Sequence, residues 1–324
     1  MNLSKLKILI FIFGVILLTN NVTAQNFDIV GEEYLSPFPG PYGIKFIDSN
    51  TLKLYWYSVD APTPDWDSEK EFTYNLIYEY GIPYIVLNDD IPEDIELGIY
   101  SDSEPRVFGE KILFLVGQVP NQETIFVSGE KYYPKVAIGY TVPENSYGSH
   151  IFLLDIPRLE LTSRIYKDPS SFLKEFGIEY KIENLNDLES DTPWVEGADG
   201  YGIGESFIIE NSWDDIYSSL FIINGFISAD RPRLYTQNGR IKKIRVEGLD
   251  SGDIGYCNVL DTPHPQTVDI SFIKEAEDIK ITIMEVFEGT KYEDTAIHYM
   301  ITYDKEIIPY TSGIDMDMDI KIDK

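Results

Sequence analysis

The chain has 324 residues, 43% of them hydrophobic and 14% aromatic, with 55 Asp and Glu against 26 Lys and Arg for a formal net charge of −29. That apolar content supports a sizeable core and excludes a globally disordered chain. So acidic a surface repels phosphate backbones and anionic lipid, which removes nucleic acid from the expected partners and argues against docking on a lipid surface. The 23 Tyr and 17 Phe, with abundant Ile, Val and Thr, suit pleated, half-buried surfaces, so the expected fold class is all-β.

In chain order, Lys5 and Lys7 precede an apolar run at 8–18 that is too short to span a bilayer. Val22-Thr23-Ala24 places small residues three and one before a cleavage point. Residues 1–24 therefore read as a signal peptide, which leaves no membrane span after its removal. The expected destination is the periplasm, the cell surface or the medium.

Residues 25–161 read as an N-terminal antiparallel β domain, a sandwich or small barrel. Expected strands lie at 43–47, 51–58, 72–80, 84–87, 111–117, 124–128, 135–140 and 151–156, punctuated by turn residues. In the second, Leu52, Leu54 and Trp56 alternate with Lys53, Tyr55 and Tyr57, the period of a half-buried strand, which makes Trp56 a core residue. At the junction, 170–175 reads as a short helical turn and 183–189 as an acidic loop. No Gly/Ser-rich or Pro-rich linker follows, so the two halves are expected to be closely coupled.

The stretch 193–205 holds Gly197, Gly200, Gly202 and Gly204 between Glu196 and Glu205, a shaped loop feeding a strand at 206–210. Further strands are expected at 219–228, 241–247, 256–260, 267–273, 279–287 and 296–303, with a hairpin turn at 250–253. The first is apolar on both faces, as in a central strand, with a bulge at Asn224-Gly225. Cys257 is the single cysteine, which excludes an intrachain disulfide, and it reads as a small buried hydrophobe. The acidic tail 305–324 ends in alternating residues that suit an edge strand or a frayed end. It is not an EF-hand, which needs Gly where Ile320 stands.

Familiar catalytic motifs are missing. No Gly-Lys-Ser/Thr follows the glycine loop, the three His form no His-Glu-x-x-His, and no Gly-x-Ser-x-Gly elbow occurs. Carboxylate pairs are too numerous for a glycosidase pair to stand out. No catalytic residue is assigned, and the expectation is a non-enzyme. An active site in the N-terminal half is the rival reading.

Residues 162–304 carry a series of blocks in a telling order. They are Ser170-Ser-Phe-Leu-Lys-Glu175, Asn184-Leu-Asn-Asp187, Thr192-Pro-Trp-Val-Glu-Gly197 and Gly200-Tyr-Gly-Ile-Gly-Glu205. Ile222-Ile-Asn-Gly-Phe226, Asn238-Gly-Arg240, Leu260-Asp-Thr-Pro263 with Gln266-Thr267, and Gly289-Thr-Lys-Tyr-Glu-Asp-Thr-Ala-Ile297 complete it. In this order the region resembles the discoidin-like domain named for the translocation of a secreted NAD glycohydrolase, also described as the NADase-type glycan-binding domain. That family lies within the coagulation-factor type C, galactose-binding-like group. The resemblance implies a jelly-roll β-sandwich with ligands bound by loops at one end. It also implies glycan binding rather than NAD hydrolysis. Residues 25–161 resemble no family.

Discoidin-like domains often hold calcium, and the resemblance makes Asp187, Glu189 and Asp191 the candidate ligands. Leu188 replaces the family's Gly, and His298-Tyr299 stands where Ser-Glu is usual, so the site is incomplete and no cofactor is expected. The candidate ligand contacts are Trp194, Glu196, Asn224, Arg231, Arg233, Tyr235, Asn238, Arg240, Tyr292 and Asp294. For several of them a structural role competes: Trp194 as a core plug, Glu196 and Arg240 as a buried pair, Asn224 as a bulge residue, and Tyr292 and Asp294 as hairpin caps. The stretch 229–239 is the most cationic of the chain and the expected contact loop. The expected partner is a glycan, with a cell-surface or envelope protein as the alternative.

Overall fold

The computed structural model describes residues 29–35, 43–56, 68–89, 111–118, 125–127, 130–132, 135–141, 151–154, 165–186, 192–210, 218–274, 278–303 and 321–322. The expected signal peptide, His150, Asp187, Glu189 and Asp191 lie outside these residues, as does the side chain of Trp56.

The N-terminal half holds β1 (Glu33–Leu35), β2 (Gly43–Phe46), β3 (Thr51–Trp56), β4 (Ser68–Glu79), β5 (Ile82–Leu87), β6 (Lys111–Gln118), β7 (Ile125–Val127), β8 (Glu130–Tyr132), β9 (Lys135–Thr141) and β10 (Ile151–Leu154). Eight of these form one antiparallel sheet in the order β1-β2-β3-β4-β5-β6-β9-β10, a near-sequential meander. It is the expected antiparallel β body, built as a single curved layer. Alternation sorts its side chains. Tyr34, Ile44, Phe46, Leu52, Leu54, Phe72, Tyr74, Ile85, Ile112 and Phe114 share one apolar core on one face. The strands β7 and β8 pair with each other, and β7 also pairs with β22 (Lys321–Ile322), so the tail contributes an edge strand.

The C-terminal half follows with β11 (Ile165–Lys167), β12 (Lys174–Glu175), β13 (Ile178–Glu179), a 3₁₀ turn (Ile182–Asn186), β14 (Trp194–Val195), β15 (Ser206–Glu210) and β16 (Ser219–Asn224). Next come α1 (Arg233–Gln237), β17 (Gly239–Gly248), β18 (Ile254–Asn258), β19 (Gln266–Asp269), β20 (Ile279–Phe287) and β21 (Thr295–Tyr303). One layer runs β11-β15-β20-β17 with β18 on β17; the other is built from β14, β21, β16 and β19. A short parallel contact between Gly239-Arg240 and Thr295-Ala296 joins them. Trp194, Phe207, Leu220, Ile222, Ile241, Ile244, Val246, Ile281, Ile283, Ile297 and Met300 fill the space between. This is the jelly-roll sandwich expected.

Two irregularities visible in the sequence have structural causes. Ile241 and Ile244 both face the core although three residues apart, because the register of β17 on β20 shifts around Lys243. Beside Asn224 the register also slips, but the extra residue is on the facing strand. Ile223 pairs with Tyr299 and Asn224 with Ile297, which leaves His298 as the bulged residue. The expected helical turn at 170–175 is not formed. Lys174-Glu175 pairs with Ile178-Glu179 in a hairpin whose turn is Phe176-Gly177, both in the left-handed region (φ 51° and 83°).

The two halves pack directly on each other, as the missing linker implied. β16 is apolar on both faces because both are covered. Leu220 and Ile222 point into the sandwich, whereas Phe221 and Ile223 point out, with Tyr299 and Ile301 of β21 beside them. Ile82, Tyr84, Leu113 and Leu115, from the reverse face of the N-terminal sheet, close over that outer face. Polar contacts fix the docking. The Tyr84 hydroxyl donates to the Ala229 carbonyl (3.1 Å), and the Val116 N–H donates to His264 Nδ1 (3.2 Å).

Candidate functional site

With one sheet face covered, the sandwich offers its loops. Four segments converge at one end: the β12–β13 hairpin, the glycine loop 196–205, the segment 225–238 with α1, and the loop 288–294. A fifth, 259–265, meets them from beside α1.

The glycine loop is built around Glu196. Its carboxylate is buried and accepts the N–H groups of Ala198 (2.8 Å) and Thr295 (3.1 Å). Gly202 has φ 64°, and a Cβ there would overlap that carboxylate. Burial outweighs the two backbone bonds and pushes the Glu196 carboxyl up to about 7, with Asp294 and Glu205 adding to the rise. Glu205 closes the loop from the other side by accepting the hydroxyls of Ser170 (2.6 Å) and Ser171. Trp194 is wholly buried and packs edge-on against Phe207 at 5.2 Å, so it is the core plug and not a sugar platform.

The expected pair between Glu196 and Arg240 is not formed. Arg240 binds Asp261 through Nε–Oδ1 (2.6 Å) and Nη2–Oδ2 (3.1 Å), while its Nη1 donates to the Tyr235 and Asn238 carbonyls. The guanidinium also lies over the Tyr235 ring at 5.1 Å, and the Tyr235 hydroxyl donates to Asp261. The fork of Arg matches a carboxylate better than the backbone-saturated Glu196 can. Asn224 is fully buried. It donates to the Ile241 and Leu260 carbonyls and accepts the Ile241 N–H, stitching strands together instead of facing a ligand. Asn238 caps α1 by donating to the Leu234 carbonyl. Tyr235, Asn238, Arg240 and Asn224 therefore form the floor beneath the loops.

What remains outward is Arg231, Arg233, Tyr292 and Asp294. Arg233 is exposed and makes no ion pair among the described residues. Arg231 lies 6.0 Å from the Phe226 ring with a long contact to Asp230 (3.4 Å). Tyr292 is half-buried, its N–H donating to Gln237 and its hydroxyl accepting from Lys291 (2.6 Å). Burial and then Glu175 raise the Asp294 carboxyl. Arg231 and Arg233 on the 226–239 segment, with Tyr292 and Asp294 beside it, line this end with donors and acceptors that are exposed or half-buried.

Sequence reasoning missed Asp261, although the block Leu260-Asp-Thr-Pro263 contains it, and it missed Tyr180, whose ring meets Phe226 at 5.8 Å. Cys257 is buried, as expected, and its thiol is pushed up to about 11 by burial. His298 and Tyr299, which stand where discoidin-like domains usually have Ser-Glu, are both buried. Among the described residues no group of three His, Cys, Asp or Glu could hold a metal.

Residues 162–303 match the family model described as the NAD glycohydrolase translocation F5/8 type C domain. No curated protein matches the chain. Among solved structures the chain is similar to the family 32 carbohydrate-binding module of C. perfringens NanJ in complex with galactose. That likeness has 18% identity and a TM-score of 0.34, covering 44% of this chain and 96% of the module. It is also similar to the arabinofuranosyltransferase AftD from Mycobacteria, at 15% identity and a TM-score of 0.32, covering 56% of this chain and 14% of the transferase. The family model bears out the discoidin-like resemblance of the C-terminal half.

Proposed function

We propose that the chain is an exported, non-catalytic binding protein whose discoidin-like half takes carbohydrate at its loop end. One observation carries the reading. At that end Arg231, Arg233, Tyr292 and Asp294 keep outward hydrogen-bonding capacity, while the polar residues beneath them are spent on the fold. Forked donors, a phenol and a carboxylate on fixed backbone give the directed pattern that vicinal hydroxyls require. The test is an array of diverse glycans probed with residues 25–324, with and without calcium. Binding that falls in Arg233→Ala while the fold persists supports the reading, and uniform silence from folded protein overturns it.

A second reading has its own support in the matched family model, which is described by translocation. On it, the sandwich is a protein-docking module of the cell envelope. A single stoichiometric protein partner, captured equally well in the presence of free sugars, favours this alternative.

A further inference from the structure

Two tight turns share an unusual feature. The β4–β5 hairpin turns at Tyr80-Gly81 and the β12–β13 hairpin at Phe176-Gly177, with φ 52° and 85° in the first and 51° and 83° in the second. Such turns favour Asn or Asp before the Gly, because a side chain with a crowded Cβ is disfavoured there. Folding thus gains nothing from an aromatic ring at either position. Nor do the rings pack: Phe176 is 94% exposed and Tyr80 is 59% exposed. Backbone strain of this kind collects at ligand clamps, which directs attention to what these two exposed rings could meet.

Their placement is specific. The 226–239 segment lies between the two turns. On one side, the root of the β12–β13 hairpin sits on it through Tyr180 and Phe226, and Glu175 at the tip is close enough to act on Asp294. On the other side, Gly81 lies against the Tyr235 ring, and Ile82 packs in the same cluster as Tyr235. The docking of the two halves, pinned by the Tyr84–Ala229 bond, holds the N-terminal turn there.

We propose that Phe176 and Tyr80 are carbohydrate-contacting residues at either side of the 226–239 segment, so that the N-terminal sheet completes the binding surface. This rests on the carbohydrate reading and extends it. The substrate class becomes an oligosaccharide long enough to reach both rings, not a lone terminal sugar. Each ring presents a flat apolar face to the C–H side of one pyranose, while Arg231, Arg233 and Asp294 between them address hydroxyls. Separate rings parted by charged side chains do not make the continuous apolar centre of a protein interface.

Asn substitution gives a clean test, because Asn suits the left-handed backbone better than the native rings. Full-length Phe176→Asn and Tyr80→Asn are compared with the wild type on an array of mono- to hexasaccharides, with melting temperature measured in parallel. The expected result is unchanged or higher melting temperature in both variants and about three- to tenfold weaker oligosaccharide binding in each. A loss in Phe176→Asn alone overturns the shared surface. Wild-type affinity in both variants overturns the proposal and leaves the carbohydrate reading standing. Silence of the wild type across the array overturns both.

Discussion

Arg240 and Asp261 meet side-on through two hydrogen bonds of 2.6 and 3.1 Å, and that pair holds the floor of the loop end in place. The guanidinium side chain is 9% exposed and the carboxylate 34%, so removing the acid strands a mostly buried cation. Asp261→Ala is expected to destabilise the chain by about 3 kcal/mol, measured by urea unfolding. Partial exposure of Asp261 keeps the loss at the low end for such pairs. Glu196→Ala should leave Arg240 untouched. Coupling between positions 196 and 240 in a double-mutant cycle would contradict the geometry.

The glycine loop gives a graded prediction. Gly200 and Gly202 both have positive φ, 89° and 64°, but only at Gly202 would a Cβ meet the Glu196 carboxylate; at Gly200 the space is open. Gly200→Ala should therefore cost about 1 kcal/mol, the strain of a left-handed alanine. Gly202→Ala adds a collision with an acid that cannot retreat without losing its two N–H donors, and should cost about 3 kcal/mol. Equal losses on thermal unfolding would count against the cage.

The strands were legible because alternation survives in β3, β15 and β20, and because turn residues mark their ends. Alternation says which residues share a face, not what covers it. Hence β16 read only as doubly apolar, and nothing in its sequence pointed to Tyr84 and Leu115 as the cover. The hairpin that replaces the helical turn expected at 170–175 gives no signal in the sequence, because Phe is an improbable residue for its Phe176-Gly177 turn. At the site, Arg231 and Arg233 stood out as cations in an acidic chain, whereas the choice of Asp261 over Glu196 depended on a fold-determined approach of two loops. Backbone N–H groups had already saturated Glu196, and a sequence does not display them.

The covered outer face predicts cooperative behaviour. Residues 162–304 alone would expose Phe221, Ile223, Tyr299 and Ile301 as one apolar patch. The isolated half is expected to self-associate on size-exclusion chromatography, and the full chain to unfold in one transition. Within the full chain, Phe221→Ala should cost about 3–4 kcal/mol, because the ring is buried by both halves. Two separate unfolding transitions, with the first insensitive to Phe221→Ala, would show that the packing contributes little.

Three buried groups give the chain opposing pH dependences, one acid against two imidazoles. Glu196 has a folded value of about 7 against 4.5 ordinarily, so ionisation is harder in the folded state. Its effect is a loss of stability as pH rises from about 4.5 to about 7, flat beyond. The groups acting on it are Asp294 and Glu205, both acidic, with the N–H groups of Ala198 and Thr295 opposing them. His264 goes the other way. Burial lowers its imidazole to about 4, and its Nδ1 accepts the Val116 N–H that links the halves, a bond the protonated nitrogen cannot make. Its contribution is complete above about pH 6.5 and is lost as pH falls towards 4; buried His298, also lowered to about 4, adds a loss of the same sign. Glu196→Gln removes the ionisation but keeps one acceptor oxygen for two N–H donors. It should melt below the wild type near pH 5, with the gap narrowing by pH 8, while His264→Asn should flatten part of the acid limb. A Glu196→Gln variant whose melting temperature tracks the wild type from pH 5 to 8 would show that the carboxyl ionises normally within its cage.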